Sequence, residues 1–397
     1  MSGEKIVEGV FAVHKPQGVT SADVIRTLQK HFNPSKLFQP WLEEERSRRK
    51  RESNYQKKRR RTQRLEVKIG HGGTLDPLAT GVLIAGVGKG TKSLNDFLKC
   101  TKAYETVVLF GAETDTYDRL GKVVRRAPYE HVTREAVEKA LEQFRGPIMQ
   151  RPPIFSALRV EGKKLYEYAR EGKMPPIEIK SRPVEAVSME IVEWYEPGTH
   201  EFKWPEEEMV GDEKIVAEKL LDKDASVPVA SAAEGEAANQ ESETQSSSKR
   251  KSPPAADSPS TEEQDAGKKQ KVSEDNAAQA VKPEAAAPES AIAEAPTTPT
   301  EQSKPQPPAV KIRMTVTSGF YVRSLAHDLG KAVGSSALMS ELVRSRQGDF
   351  ELHPDKVLEY QDLDDGEDVW GPKVQKFLDE WEKKRAANAE AEAAAEQ

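Results

Sequence analysis

Residues 71–81 read "HGGTLDPLATG" and hold one acid, Asp76, between paired glycines and a proline, shortly after a histidine. Gly72 and Gly73 permit backbone geometry and close approach that a side chain would block, and Pro77 pushes Asp76 toward an extended conformation. A stiff loop therefore presents this carboxylate. Taken alone, an aspartate in such a loop more often caps backbone amides than does chemistry. Several chemistries fail for want of parts. "GVGKGTK", 86–92, lacks the Gly-Lys-Ser/Thr ending with which a P-loop grips phosphate and magnesium. A glycosidase needs two working carboxylates and an aspartic protease needs a pair sharing a proton, and no second acid stands obviously beside Asp76.

The elements that must position Asp76 are readable around it. "EGVFAV", 8–13, reads as a strand running into a turn at Pro16 and Gly18, and Ser21 is a plausible N-cap for a helix with Val24, Ile25 and Leu28 at helical spacing. "VLIAGVG" and "KAYETVVLFG" read as strands, "GTKSLNDFLK" as helix-like, and "TREAVEKALEQFRG" as an amphipathic helix stopping at Gly146. A proline-rich loop, "RPPIFSAL", is followed by the helix-like "KKLYEYAREG" and the strand "RPVEAVSMEIVEWY". Further on, Val310, Ile312, Met314 and Val316 alternate as a strand before a Ser-Gly turn and a helix. Strands and helices mix without regular βαβ alternation, which favours an α+β fold over a doubly wound sheet.

Composition bounds how much of the 397 residues folds. No Phe, Tyr or Trp occurs between Trp204 and Phe320, and the stretch is rich in Ala, Pro, Ser, Glu and Gln. Residues 205–308 are therefore expected to be a disordered, low-complexity insertion, dividing one catalytic domain into 6–204 and 309–360. The tail, 361–397, is expected to be helical or disordered. The net charge of −6 arises largely in the insertion and tail, so the folded part need not be acidic. A single cysteine, Cys100, excludes a disulfide framework and a Cys-based zinc site. With neither a long apolar run nor a secretory signal, the chain reads as soluble and intracellular.

A wider set of motifs, in order along the chain, resembles the TruB family of pseudouridine synthases. "GHGGTLDPLATGVLIAGVGKGTK" is similar to the family's catalytic segment, and "GVFAVHKPQGVTS" to its first motif. "KAYETVVLFGAETDTYD" is similar to its tyrosine motif, "RPPIFSALRVEGKKLYEYAREG" to its middle segment, and "SGFYVRSLAHDLG" with "LVRSRQGDF" to its closing motifs. Within the family, the sequence is similar to the fungal-type eukaryotic members that act on uridine 55 of tRNA. The resemblance implies the pseudouridine synthase fold, a mixed and mostly antiparallel sheet flanked by helices. It also implies an isomerisation, in which a uridine's N1–C1′ bond breaks, the base turns, and C5 joins C1′. Such a reaction uses no water, metal or cofactor, so one carboxylate suffices.

The resemblance carries roles onto particular residues. Asp76 would act on the ribose, either attacking C1′ or taking the C2′ proton. Arg323 matches the arginine paired with that aspartate, and Tyr104 the tyrosine that stacks on the target base and helps remove the C5 proton. Tyr321 matches an aromatic lining the uracil pocket, and Leu342 the leucine whose backbone meets the uracil edge. His71 matches a histidine that fills the space left by the flipped base; alternatively, it bonds the loop backbone. Lys15 and Pro16 resemble the pair supporting the catalytic loop.

Two departures stand out. A basic insertion, 36–66, contains "RSRRKRESNYQKKRRRTQR", with eleven cations in nineteen residues and one acid, Glu52. It is expected either to touch tRNA phosphates or to act as an import signal. In the long insertion, "KRK", 249–251, and "KKQK", 268–271, are spaced like a bipartite nuclear import signal, and Ser252, Ser258 and Thr298 each precede proline. The chain after "LVRSRQGDF" is short for a PUA domain of the dyskerin type, which disfavours a guide-RNA-dependent enzyme. A non-catalytic RNA-binding protein would not require Asp76, Tyr104 and Arg323 together. The expectation is a monomer acting on the T-arm of tRNA, with mRNA as a further candidate substrate and an import receptor as a candidate partner. It would work without guide RNA or membrane, in nucleus and mitochondrion, with the cytoplasm a further candidate compartment.

Overall fold

A ten-stranded mixed sheet forms the centre of the fold in a computed structural model that describes residues 5–60, 62–171, 175–224 and 306–395. In chain order the first elements are β1 (Gly9–Lys15), α1 (Ser21–Phe32), α2 (Gln39–Lys50), α3 (Asn54–Arg59), β2 (Ile69–His71), β3 (Thr80–Val87), α4 (Leu94–Lys99) and β4 (Lys102–Phe110). There follow β5 (Ala112–Thr114), β6 (Val123–Arg126), α5 (Arg134–Leu141), β7 (Gly146–Gln150), β8 (Arg159–Val160), β9 (Lys163–Lys164), α6 (Leu165–Arg170), β10 (Arg182–Tyr195) and α7 (Gly211–Asp224). The chain closes with β11 (Ala309–Val316), α8 (Val322–Ala332), β12 (Ala337–Gln347), β13 (Phe350–Glu351), β14 (Leu358–Glu359) and α9 (Glu367–Ala395).

The main sheet runs β14-β1-β3-β12-β4-β11-β10-β7, with β2 added beside β3 and β13 beside β12. Two of its pairings, β1 with β14 and β3 with β12, are parallel, and the others are antiparallel. The expected α+β class, with a mostly antiparallel sheet flanked by helices, is the observed architecture. Alternation explains the central strands: Val310, Ile312, Met314 and Val316 of β11 are all buried, while Lys311, Arg313 and Thr315 are not. α1 packs Val24, Leu28 and Phe32 inward.

Several details depart from expectation. Thr20, not Ser21, caps α1, its hydroxyl accepting from the Asp23 amide. Ser21 is the first helical residue and is buried, and its hydroxyl serves the aspartate loop instead. Residues 36–66 hold two helices and are anchored in the core. Phe38 stacks on Phe32 at 4.4 Å between ring centroids, and Phe32 on Trp370 at 4.9 Å. α9 buries Trp370, Val374 and Leu378, so the first part of the tail belongs to the core. Within the stretch whose composition suggested disorder, residues 211–224 form α7, because Ala217 and Leu221 bury against Tyr117 and Val124. The two basic clusters and the three Ser/Thr-Pro positions lie outside the described residues. Among the described residues no helix is long and apolar enough to cross a membrane.

Candidate active site

The aspartate loop bridges β2 and β3 and is tied down on both flanks. Ser21 Oγ donates to the Leu75 carbonyl at 3.0 Å and accepts from the Leu75 amide at 2.8 Å. The Gly18 amide donates to the Pro77 carbonyl at 2.8 Å. From the other flank Gln347 Nε2 donates to the Gly72 carbonyl, and Arg344 Nη1 reaches the Thr74 carbonyl at 3.5 Å. Leu75, Leu78 and Ala79 are buried beneath the loop, Thr74 and Pro77 are exposed, and Asp76 between them is half-buried. Glycine is required at two points. Gly73 has φ +130°, and Gly81 has φ +103° with its would-be Cβ only 2.3 Å from the Arg344 carbonyl oxygen.

Asp76 lies in a cleft of about 320 Å³ whose lining also includes Tyr104, Tyr321, Arg323 and Leu342. The structure thus brings together five of the residues selected from sequence. Arg323, on the first turn of α8 and 6% exposed, sets Nε 2.8 Å from Asp76 Oδ2. Its other nitrogens are also engaged: Nη1 donates to the Thr116 carbonyl at 3.0 Å and Nη2 to the Phe155 carbonyl at 2.9 Å. A guanidinium held at three corners is fixed in orientation, and through it the carboxylate. Tyr104, buried in β4, is paired in register with Arg344 of β12 and Met314 of β11. Gln150 clamps the Tyr321 backbone, its side chain bonding both the amide, at 2.7 Å, and the carbonyl, at 3.0 Å.

The remaining selected residues lie behind the loop. Lys15 is fully buried, and Nζ donates to the carbonyls of Pro16 at 2.7 Å, Val19 at 2.6 Å and Pro77 at 3.4 Å. Burial pushes its ammonium down to about 8, opposed by the nearby Asp76 charge. His71 does not line the cleft. Its Nδ1 lies 3.2 Å from the Gly73 carbonyl, which can only accept, so the bond keeps a proton on Nδ1; burial lowers the imidazole below its ordinary range.

Sequence reasoning missed four residues here. Asp118, in "TDTYD", is buried with Oδ2 3.9 Å from Arg323 Nε, so a second acid does stand near Asp76, across the arginine. Burial raises the Asp118 carboxyl, against the pull of Arg323. Its Oδ1 accepts from Thr116 Oγ1 at 2.8 Å and the Leu120 amide at 3.0 Å. Lys102 and Arg344 line the cleft as buried cations that bond backbone carbonyls. Ser156 lines the same cleft with a buried hydroxyl that has no partner among the described residues. Position in "TDTYD" was a signal for Asp118; Ser156 offered none.

Residues 58–207 match the family description "TruB family pseudouridylate synthase (N terminal domain)". The chain is similar to tRNA pseudouridine synthase 4 of Schizosaccharomyces pombe, 37% identical over 363 residues that cover 89% of this chain and 82% of that one. It is also similar to tRNA pseudouridine synthase 4 of Saccharomyces cerevisiae, 29% identical with 94% and 85% covered. The likeness to tRNA pseudouridine synthase B of a Nostoc species is 46% over 129 residues, covering 32% and 43%. On these matches the chain belongs to the TruB family of pseudouridine synthases.

Proposed function

We propose that the chain is a stand-alone tRNA pseudouridine synthase that isomerises uridine 55 in the T-loop, with Asp76 acting on the ribose of a flipped-out nucleotide. The observation that carries this reading is the Asp76–Arg323 pair at 2.8 Å in a cleft also lined by Tyr104, Tyr321 and Leu342. The names of the fungal relatives support tRNA as substrate. A stacked uridine must leave its helix or loop to enter such a cleft, and the aromatic pair Tyr104 and Tyr321 offers surfaces for the extruded base. Asp76 either bonds to C1′ as N1 leaves and is displaced from C1′ when C5 attacks, or takes the C2′ proton as N1 leaves and returns it to C2′ when C5 bonds to C1′. In both routes the base turns, C5 bonds to C1′, the C5 proton is lost, and N1 is left protonated. No water enters or leaves, and Arg323 keeps the carboxylate aimed. Tyr104 is proposed to help remove the C5 proton, and His71 and Lys15 to hold the loop that carries Asp76.

The test is to incubate purified protein with an unmodified tRNA transcript, without guide RNA and with EDTA, and map pseudouridine by chemical probing. Product at the T-loop uridine is expected. Asp76→Asn, which preserves shape and a hydrogen bond to Arg323, should abolish product while tRNA affinity stays within about threefold of wild type. Product formed by that variant would remove Asp76 from the chemistry.

A further inference from the structure

The basic insertion is a folded module, and its second helix, α3, displays Lys57, Lys58 and Arg59 in the solvent. α2 is fastened by Phe38 and Leu42 in the core, and buried Glu45 binds Arg48 through Nε and Arg49 through Nε at 2.8 and 2.7 Å. α3 has no buried residue. A six-residue helix carrying consecutive like charges would not persist in isolation. Two local devices hold it: a capping box between Ser53 and Gln56, and the ion pair of Glu52 with Arg60 at 2.6 Å, which closes the helix from both ends. These fix Tyr55, Lys57, Lys58 and Arg59 in the solvent. Tyr55 is 66% exposed, although Arg59 lies against it with Nη1 2.7 Å from the phenol oxygen. Lys57 and Lys58 form no ion pair among the described residues.

We propose that α3 is an RNA-binding platform outside the cleft, on which Tyr55 stacks with an unpaired base and Lys57, Lys58 and Arg59 neutralise the flanking phosphates. An exposed aromatic ring set among rigidly displayed cations is the chemistry that grips single-stranded nucleic acid, since every base offers a flat face and every nucleotide a charge. A receptor reading a basic stretch in extended form would have to unwind α3 and break the Glu52–Arg60 pair, and it would leave the tyrosine unexplained. From Arg64 the chain returns within a few residues to β2 and the aspartate loop, and Arg49 Nη1 fixes that return by donating to the carbonyls of Gln63 and Arg64 at 3.3 and 2.8 Å. RNA held on α3 is thus held by a segment continuous with the active site. The platform rests on the reading of this chain as a tRNA-modifying enzyme.

The test measures binding of the full chain to an unmodified tRNA transcript over a salt series, with pseudouridine formation followed on the same protein. Tyr55→Ala should weaken binding about tenfold without altering the salt slope, and Tyr55→Trp should restore it. Replacing Lys57, Lys58 and Arg59 with Gln should flatten the slope of log affinity against log salt by about two to three units. Turnover at saturating tRNA should be unchanged in every variant, and these solvent-facing changes should leave the melting temperature in place. A wild type that binds and modifies tRNA beside variants with identical affinity and slope would overturn the platform alone. Variants that keep tRNA binding but lose capture by an import receptor would also overturn it, assigning α3 to import. A wild type that neither binds nor modifies tRNA would remove the underlying reading, and the platform with it.

Discussion

At the scale of single residues, the site is an arginine between two carboxylates, one half-exposed in the cleft and one buried. Arg323 pairs closely with Asp76, and Asp118 stands 3.9 Å from the same nitrogen. Asp118→Asn keeps the volume and the bonds from Thr116 and Leu120 but removes a charge that helps hold Arg323. Turnover is expected to fall by about one to two orders of magnitude with KM nearly unchanged, as steady-state kinetics on a tRNA transcript would show. Lys15 gives a pH signature. Its folded ammonium titrates at about 8 against an ordinary 10.5, so between these values the unfolded chain binds more protons and stability from this group rises with pH. Relative to Lys15→Met, the wild type should therefore gain on the order of 2–3 kcal/mol between pH 7 and 10, read from denaturant midpoints. Asp76, Tyr104 and Arg323 were legible because residue type and motif order carry them. Asp118 was legible only by its place in the tyrosine motif, since its closeness to Arg323 comes from the fold, and Ser156 was not legible, since only burial in the cleft sets it apart.

At the scale of elements, the pairings that build the sheet also assemble the cleft. The short parallel bridge of Thr80 and Gly81 with Val343 and Arg344 joins the exit of the aspartate loop to β12, and the antiparallel pairing of β12 with β4 sets Arg344 beside Tyr104. α8 then delivers Arg323 to Asp76. Strand alternation made β10 and β11 readable, because half-buried strands write their two faces into sequence. α2 and α3 were hidden, since their charged runs lack an apolar period: the order of α2 comes from Phe38, Leu42 and buried Glu45, and that of α3 from the Ser53–Gln56 capping box and the Glu52–Arg60 pair. α7 was hidden inside a stretch of low aromatic content. It covers Tyr117, a residue at φ +64° whose ring stacks on His327 at 4.2 Å and which directly precedes Asp118. Lys331 of α8 donates to the Leu221 carbonyl at 3.1 Å, which ties α7 to the helix carrying Arg323. Leu221→Ala should destabilise by about 2 kcal/mol and speed amide exchange over residues 114–118, measured by hydrogen–deuterium exchange. Unchanged exchange there would mean that α7 does not hold the Asp118 turn.

At the scale of the whole molecule, β10 and β11 are antiparallel neighbours, with Tyr195 paired to Ala309, yet the connection between them runs through residues 196–308. Ordinary hairpins join such strands through a few residues. Closing a connection of roughly a hundred residues adds only a few kcal/mol of chain entropy, because the cost grows with the logarithm of length. The long register between the strands offsets that cost, as does the anchoring at both ends of the connection. At the departing end Trp204 Nε1 donates to the Phe110 carbonyl at 2.8 Å, and at the returning end His200 Nε2 lies 2.8 Å from the Pro307 carbonyl. Contacts among the described residues on either side of 225–305 thus support this register. Replacing 225–305 with a flexible linker of about twenty residues should leave the fold intact and raise its stability by about 1 kcal/mol, the entropy of the shorter closure. Denaturant unfolding would measure the stability, and turnover on a tRNA transcript should match that of the full chain. A loss of turnover without a loss of stability would show that residues 225–305 act on the substrate, whereas a loss of both would mean that they contribute to the folded unit around β10 and β11.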